Sequence, residues 1–124
     1  MMGSMIRATT PTHYFRFPVD PEARFDVIEV TYRQDEENVL VKGKTDMSFS
    51  NVGTDDDPIY VGQYKLTQAE TKLFRGNMPG ETQGKADVYI QVRVLTTDGD
   101  SLASKVYRVP VQDVLNDGVL TNGT

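Results

Sequence analysis

Three consecutive aspartates, Asp55, Asp56 and Asp57, are candidate ligands for a hard cation. Calcium takes about six to eight oxygen ligands in proteins, several of them from carboxylates. With Asp46 or Asp98 close by in the fold, the triplet could supply part of such a set. A solvated acidic loop explains the same run, because the spaced ligands of an EF-hand are missing. The triplet is therefore a weak metal candidate, and we predict that the chain binds no cofactor.

The sequence offers few candidate catalytic residues. His13 is the one histidine, and there is no cysteine. A Ser-His-Asp triad would depend on His13, and thiolate chemistry and sulfur-bound zinc are excluded. Asp98 and Asp100 flank Gly99, but two carboxylates are too few for calcium, and Asp-Gly is typical of a tight turn. We therefore predict no catalytic residues and a protein that is not an enzyme.

The composition argues against two classes of partner. Thirteen lysine and arginine residues stand against eighteen aspartate and glutamate residues, for a formal net charge of -5. Nucleic-acid binding relies on clustered basic residues, and these are scattered, so we expect no DNA or RNA partner. No apolar run approaches the roughly eighteen residues of a membrane span. The start, MMGSMIR, is also a poor signal peptide, and we expect a protein that binds no membrane.

The alternation of apolar and polar residues predicts an all-β fold. In THYFRF, Phe15 and Phe17 are expected to point inward, while FDVIEVTYR changes phase near Val27 and Ile28, which indicates a β-bulge or the true start of the strand. Proline and glycine clusters separate about seven short segments of this kind, which is typical of an immunoglobulin-like β-sandwich. A small β-barrel is the alternative. One short helix is predicted after Leu66, where Thr67 and Glu70 have the spacing of a capping box.

The segment from Val88 to Val111 predicts a β-hairpin with a two-residue Asp98-Gly99 turn. That register sets Val88 opposite Val109 and Val94 opposite Ala103. A slip of one residue would turn the apolar side chains to the other face, which favours this register. A single domain is expected over residues 6–120, preceded by a cloning remnant at residues 1–5 and followed by a flexible tail at 121–124.

Two sets of residues are predicted to contact a partner. The first is the outer face of the hairpin, and the second is the apolar chain end, because both expose side chains suited to protein contact. The residues are Tyr89, Gln91, Arg93, Arg108, Leu115, Val119 and Leu120.

The segments TPTHYFRFPVD, KLTQAETKLF and VRVLTTDGDSLASKVYRVPVQDVLND together resemble a group of small proteins encoded among the structural genes of tailed phages and prophages in gut Firmicutes. The likeness covers most of residues 9–120. It departs from the group's pattern at Arg16 and Phe17 and in a longer acidic insertion around residues 51–58. The resemblance implies a component of the virion or of its assembly, and it transfers no catalytic residue.

These observations lead to two functional hypotheses. The first is a non-enzymatic virion or accessory protein that docks to head, neck, tail or baseplate neighbours, or to copies of itself, in the virion or in the host cytoplasm during assembly. The second is a module that binds carbohydrate or a cell surface, with Tyr60, Tyr64 or Tyr89 as stacking faces.

Overall fold

The structure is a computed structural model that describes residues 4–78 and 86–122. Most of this part of the chain forms short strands and three single-turn helical segments. The strands are β1 Met5–Ile6, β2 Thr12–Phe17, β3 Phe25–Arg33, β4 Val39–Gly43, β5 Ser48–Asn51, β6 Tyr60–Lys65, β7 Val88–Thr96, β8 Ser101–Ala103, β9 Tyr107–Val109 and β10 Val111–Gln112. The helical segments are α1 Pro21–Arg24, a 3-10 helix at Lys44–Asp46, and α2 Gln68–Thr71.

Two antiparallel sheets form the body of the fold. One has the strand order β2-β6-β5, and the other has the order β4-β3-β7 with β8 and β9 following one another along the free side of β7. Strands β1 and β10 form a short parallel pair beside them. If β2 to β7 are named B, C, C′, D, E and F, and β8 with β9 is G, the sheets read BED and GFCC′, which is the order of an immunoglobulin sandwich.

The prediction of an all-β, sandwich-like fold is therefore confirmed. Neither described sheet closes on itself, so the barrel alternative is not adopted. The strand count exceeds the expected seven because strand G is split into β8 and β9 and because β1 and β10 are added. The predicted bulge is also present, since the pairing of β3 with β7 shifts between Phe25 and Val27.

The core lies between the inner faces of the two sheets. Alternate residues of each strand point into it, as the period of two predicts, and Phe15 and Phe17 face inward as expected. Fully or nearly fully buried side chains come from both sheets: Phe17, Phe25, Ile28, Val30, Tyr32, Tyr64, Val88, Ile90 and Val109.

The tip of the β7–β8 hairpin corrects one of our predictions. It is a three-residue loop closed by the Thr96 N–H, which donates to the Asp100 carbonyl at 2.8 Å. Gly99 has φ 92°, a left-handed conformation that glycine adopts without strain, and such loops often end in a residue of this kind. As a result, Val94 pairs with Leu102 and not with Ala103.

The predicted register returns in β9, where Val88 lies opposite Val109. The extra residue is absorbed between β8 and β9, at Ser104. The Ser104 N–H donates to the Val92 carbonyl at 2.8 Å, while the Val92 N–H donates to the Ser104 hydroxyl at 3.0 Å. The Gln91 amide donates to the Ser104 carbonyl at 2.9 Å. This bulge lets the tip adopt its preferred loop while Val109 still points into the core.

The fold begins earlier than expected. Met5 belongs to β1, its side chain is 1% exposed, and its N–H donates to the Pro110 carbonyl at 2.9 Å. Treating residues 1–5 as lying outside the fold is therefore wrong for Met5. A methionine can fill an irregular space in a core regardless of the polar residues before it.

The capping box at α2 is confirmed. The Thr67 hydroxyl accepts from the Glu70 N–H at 3.1 Å, and the Glu70 carboxylate accepts from the Thr67 N–H at 2.9 Å. The helix itself is a single turn, Gln68–Thr71. Helix α1 was not predicted, although Asp20 before Pro21 is a typical helix start, with the Asp20 carboxylate accepting from the Glu22 N–H at 3.1 Å.

Candidate functional site

The outer face of the GFCC′ sheet gathers the four hairpin residues predicted to contact a partner. The pairing of β3, β7 and β9 sets Tyr89 between Arg33 on one side and Arg108 on the other. Neighbouring strands are about 4.8 Å apart, so two guanidinium-bearing residues flank one aromatic ring. We call the outward residues Arg33, Tyr89, Gln91, Arg93 and Arg108 the arginine–tyrosine face. Arg33 was not predicted, because its neighbour across the sheet is 56 positions away in sequence.

The cations of this face remain accessible. The Arg93 and Arg108 side chains are 59% and 70% exposed, and Tyr89 is 46% exposed. Arg108 lies 3.3 Å from the buried carboxylate of Asp87, while Arg93 lies 3.5 Å from Glu29. The Arg93–Glu29 pair is exposed on both sides, and pairs of this kind contribute little to stability. The two guanidinium groups keep most of their donors available for carboxylates from outside.

The chain end is fastened to the body by two side chains. Arg7 donates to the Asp113 and Asp117 carboxylates at 2.7 Å and 2.9 Å, and to the Phe74 carbonyl at 2.7 Å. Gln68 forms two hydrogen bonds with the backbone of Leu120. Its side-chain Nε2 donates to the Leu120 carbonyl at 2.9 Å, and its Oε1 accepts from the Leu120 N–H at 2.8 Å. The segment from 113 to 120 therefore follows a defined path past α2.

The three apolar tail residues predicted to contact a partner are exposed. Leu115 is 89% exposed, Leu120 79% and Val119 54%. Hydrogen bonds fix the backbone of this segment while the three side chains face solvent. Exposed apolar side chains of this kind can contact a partner without any change in the core. The tail lies along α2, whereas the arginine–tyrosine face lies on β3, β7 and β9, so these predicted residues belong to two separate surfaces.

A buried polar network joins the two sheets, and the sequence did not predict it. His13 from β2, Tyr32 from β3 and Tyr64 from β6 meet inside the sandwich. His13 Nδ1 lies 2.7 Å from the Tyr32 hydroxyl, which lies 2.5 Å from the Tyr64 hydroxyl. The His13 and Tyr32 rings are stacked, with 5.6 Å between centroids. A neutral His13 that accepts from Tyr32 satisfies this chain of hydrogen bonds.

The network continues towards the surface through Lys42. Its ammonium lies 5.7 Å from the centroid of the Tyr64 ring and 2.7 Å from the Glu70 carboxylate. Burial raises the pKa of Tyr32 and of Tyr64 above the ordinary value for a tyrosine, so both hydroxyls stay protonated. His13, the one histidine of the sequence, therefore packs against two neutral, hydroxyl-bearing rings.

We predict that acid weakens the fold through His13. Burial lowers the pKa of His13 below its ordinary value, so the unfolded chain takes up a proton at a higher pH than the folded chain does. Stability is then complete above about pH 6.5 and falls as the pH drops towards the folded pKa. Urea denaturation should show a lower midpoint at about pH 5.5 than at about pH 7.5.

The variant His13→Gln is the control for this pH dependence. Burial acts to raise the pKa of Glu70, but its hydrogen bonds with Lys42 and with the Thr67 N–H lower it overall. Protonation of the Glu70 carboxylate therefore lowers stability only below about pH 4.5, outside the range of this experiment. If His13→Gln shows the same fall in midpoint between about pH 7.5 and 5.5, His13 is not its cause.

The aspartate triplet lies in the exposed β5–β6 loop. The Asn51 side-chain oxygen Oδ1 accepts from the N–H groups of Gly53 and Ile59, and the Thr54 hydroxyl accepts from the Asp57 N–H at 3.0 Å. Within the described residues, no group of three acidic, histidine or cysteine side chains is placed to hold a metal ion. The run of aspartates is explained as a solvated turn closed by its own polar side chains.

The tyrosines of the carbohydrate hypothesis are separated by the fold. Tyr60 and Tyr64 share a face of β6, but that face points into the sandwich and Tyr64 is 6% exposed. Tyr64 is therefore unavailable to a sugar. Tyr89, which is 46% exposed, is the member of this set that the structure presents on an outer sheet face.

Comparison with known proteins shows no family for this chain. No model of a protein family and no curated protein matches the chain. Two solved structures resemble it at low identity. One is a mutant of the SrpA adhesin from Streptococcus sanguinis, with a TM-score of 0.46, 14% identity, and coverage of 88% of this chain and 53% of the adhesin chain. The other is the purple acid phosphatase PPD1 from yellow lupin (Lupinus luteus) seeds, with a TM-score of 0.48, 11% identity, and coverage of 86% and 18%. The chain thus spans about half of the first and less than a fifth of the second.

Among the described residues, no helix has the length and apolar character to cross a membrane.

Proposed function

We propose that this protein is a non-enzymatic structural or accessory component of a phage virion, which docks to a neighbouring virion protein through the arginine–tyrosine face. The observation that carries the proposal is the placement of Tyr89 between Arg33 and Arg108 on the outer face of the sheet. The resemblance of the sequence to proteins encoded among phage structural genes supports the virion context.

The chemistry of the face indicates the kind of partner. Tyrosine and arginine are the residues that most often dominate binding energy at protein interfaces. Arginine binds carboxylates through two parallel hydrogen bonds. In a chain of net charge -5, a face that concentrates arginine is suited to an acidic partner surface, with Tyr89 as its central apolar anchor.

We expect Arg108→Glu to abolish this docking. Tagged protein would be expressed in an induced culture of the strain that carries the gene, and the proteins that copurify would be identified by mass spectrometry. The unmodified protein should retain a head, neck, tail or baseplate protein, and Arg108→Glu and Tyr89→Ala should lose it. Arg108 pairs with the buried carboxylate of Asp87, so a urea denaturation curve must first show that Arg108→Glu is folded, whereas Tyr89→Ala leaves that pair in place.

Lys65→Glu is the matched control. It makes the same charge change at an exposed position on the other sheet, so it should retain the partner. Recovery of no virion protein would contradict the proposal. So would equal recovery by Arg108→Glu and the unmodified protein.

A further inference from the structure

An apolar groove of about 810 Å³ opens between the two sheets, on the side where β2 faces β8 and β9. The inner faces are uncovered there, so residues that would belong to a closed core remain partly accessible. Leu102 is 53% exposed and Tyr107 39%. The other side chains that form its walls include Phe15, Phe17, Phe25, Val92 and Val94.

One wall of the groove is a free strand edge. The Pro11 carbonyl accepts from the Leu66 N–H at 2.9 Å, so Pro11 directs its backbone towards β6. Because backbone groups alternate in direction along an antiparallel strand, those of Thr12, Tyr14 and Arg16 point away from β6. Among residues 4–78 and 86–122, no strand pairs with β2 on that side. Edges of this kind are templates for pairing with another chain.

We propose that this groove binds an extended segment of another protein, which pairs with β2 as an added strand and inserts alternate apolar side chains between the sheets. The topology supports a strand at this place, because strand B of an immunoglobulin sandwich normally has strand A beside it. Here β1 pairs with β10 instead. Strand addition of this kind combines backbone hydrogen bonds for affinity with side-chain pockets for specificity.

The charges around the groove indicate an acidic segment. Arg16 is the residue of its lining that carries a charge, and no carboxylate lines it. The Lys105 ammonium lies 5.1 Å from the centroid of the Tyr107 ring, at the same edge. In an acidic protein, a groove with a positive rim favours a strand that carries glutamate or aspartate on its solvent face.

A second copy of this chain does not supply that segment. Outside its strands, the described chain exposes single apolar residues at Val52, Leu73, Met78 and Val106, and carries two adjacent pairs in the tail, Val114–Leu115 and Val119–Leu120. Adjacent residues of a strand point to opposite faces, so only one of each pair could enter the groove. The occupant is therefore assigned to a different protein with strict alternation of large apolar residues.

The probe for this proposal is a capped peptide of nine residues that alternates valine with glutamate and threonine. In an NMR titration of the full chain, we expect saturable shifts confined to β2, β8 and β9. We also expect slower amide exchange at Thr12, Tyr14 and Arg16. A peptide N-methylated on the residues that face β2 should not bind. Absence of saturable shifts, or equal binding of the N-methylated peptide, would overturn strand addition.

Leu102→Arg and Val41→Arg form a matched pair, because both residues are 53% exposed and only Leu102 lines the groove. Leu102→Arg should weaken peptide binding at least about tenfold, since it buries a charge in an apolar wall, and Val41→Arg should not. Sedimentation tests the occupant: a dimer that Leu102→Arg dissociates would show that a second copy fills the groove. Arg108→Glu should still bind the peptide, so this proposal and the proposed function fail separately.

Discussion

Replacing Tyr32 with alanine is expected to lower the free energy of unfolding by about 4 kcal/mol, as for large-to-small substitutions at other fully buried aromatic positions. Tyr32 is 0% exposed and is the largest of the fully buried side chains. Its removal leaves a cavity between the sheets and leaves the His13 imidazole and the Tyr64 hydroxyl without their shared partner. Urea denaturation at neutral pH measures the loss.

Tyr32→Phe separates the hydroxyl from the ring. It preserves the packing but removes the bridge between His13 and Tyr64, so we expect a loss of about 1–3 kcal/mol, the cost of leaving buried polar groups unpaired. Combined with Tyr64→Phe, the loss should be smaller than the sum of the two single losses, because both break the same network. Tyr14→Phe is the control, since Tyr14 is 63% exposed, and its effect should stay within about 0.5 kcal/mol. Equal effects of Tyr32→Phe and Tyr14→Phe would show that the network contributes nothing.

Arg7→Ala is expected to cost about 2 kcal/mol and to release the chain end from the body. The Arg7 side chain is 15% exposed and joins three segments, with the Phe74 and Lys72 carbonyls on one side and two tail aspartates on the other. Hydrogen bonds to a charged partner are worth about 1.5–3 kcal/mol. Denaturation gives the stability, and hydrogen exchange should show faster exchange in the tail, at Val114 and Leu120 in particular.

Two variants test the explanation for Arg7. Arg7→Lys keeps the charge, but one ammonium cannot replace the planar set of donors, so it should recover less than half of the loss. Arg93→Ala removes an arginine with a single 3.5 Å contact to Glu29, and it should change stability by less than about 0.5 kcal/mol. Unchanged exchange in the tail of Arg7→Ala would mean that Gln68 alone holds the chain end.

The strands were predictable because their signals are local. The alternation in THYFRF and in the β7 segment depends on neighbouring residues and on a single condition, that one face of the strand meets an apolar core. The capping box at Thr67 is equally local, since both of its hydrogen bonds form within four residues. The outward position of Tyr89, Gln91 and Arg93 followed from the same alternation.

The register of the hairpin was only partly predictable. Matching apolar residues across the strands identified the pairing of Val88 with Val109, where burial is complete. Near the tip, Leu102 and Ala103 are exposed, so burial places no constraint on the pairing, and the loop geometry at Gly99 decides it. The Ser104 bulge reconciles the two, and it depends on hydrogen bonds that form only after the strands have paired.

The residues of the candidate site were also only partly predictable from the sequence. Tyr89 and Arg108 share a hairpin, and the sequence placed them together. Arg33 joins them only through the pairing of β3 with β7. His13, Tyr32 and Tyr64 come from three strands on two sheets, and each by itself has the pattern of an ordinary strand residue. No local pattern in the sequence therefore indicates that these three side chains are in contact.

By itself, the sequence determined the all-β class, most strand positions, the helix cap and the outward direction of the hairpin residues, because each depends on side-chain alternation or on hydrogen bonds between near neighbours. Only the tertiary structure decided which groups Arg7 and Tyr32 contact, the position of Arg33 beside Tyr89 on the arginine–tyrosine face, and the groove beside β2. These depend on which strands pair and which sheets face each other, and such contacts join residues distant in sequence, whose meeting is set by the packing of the whole core.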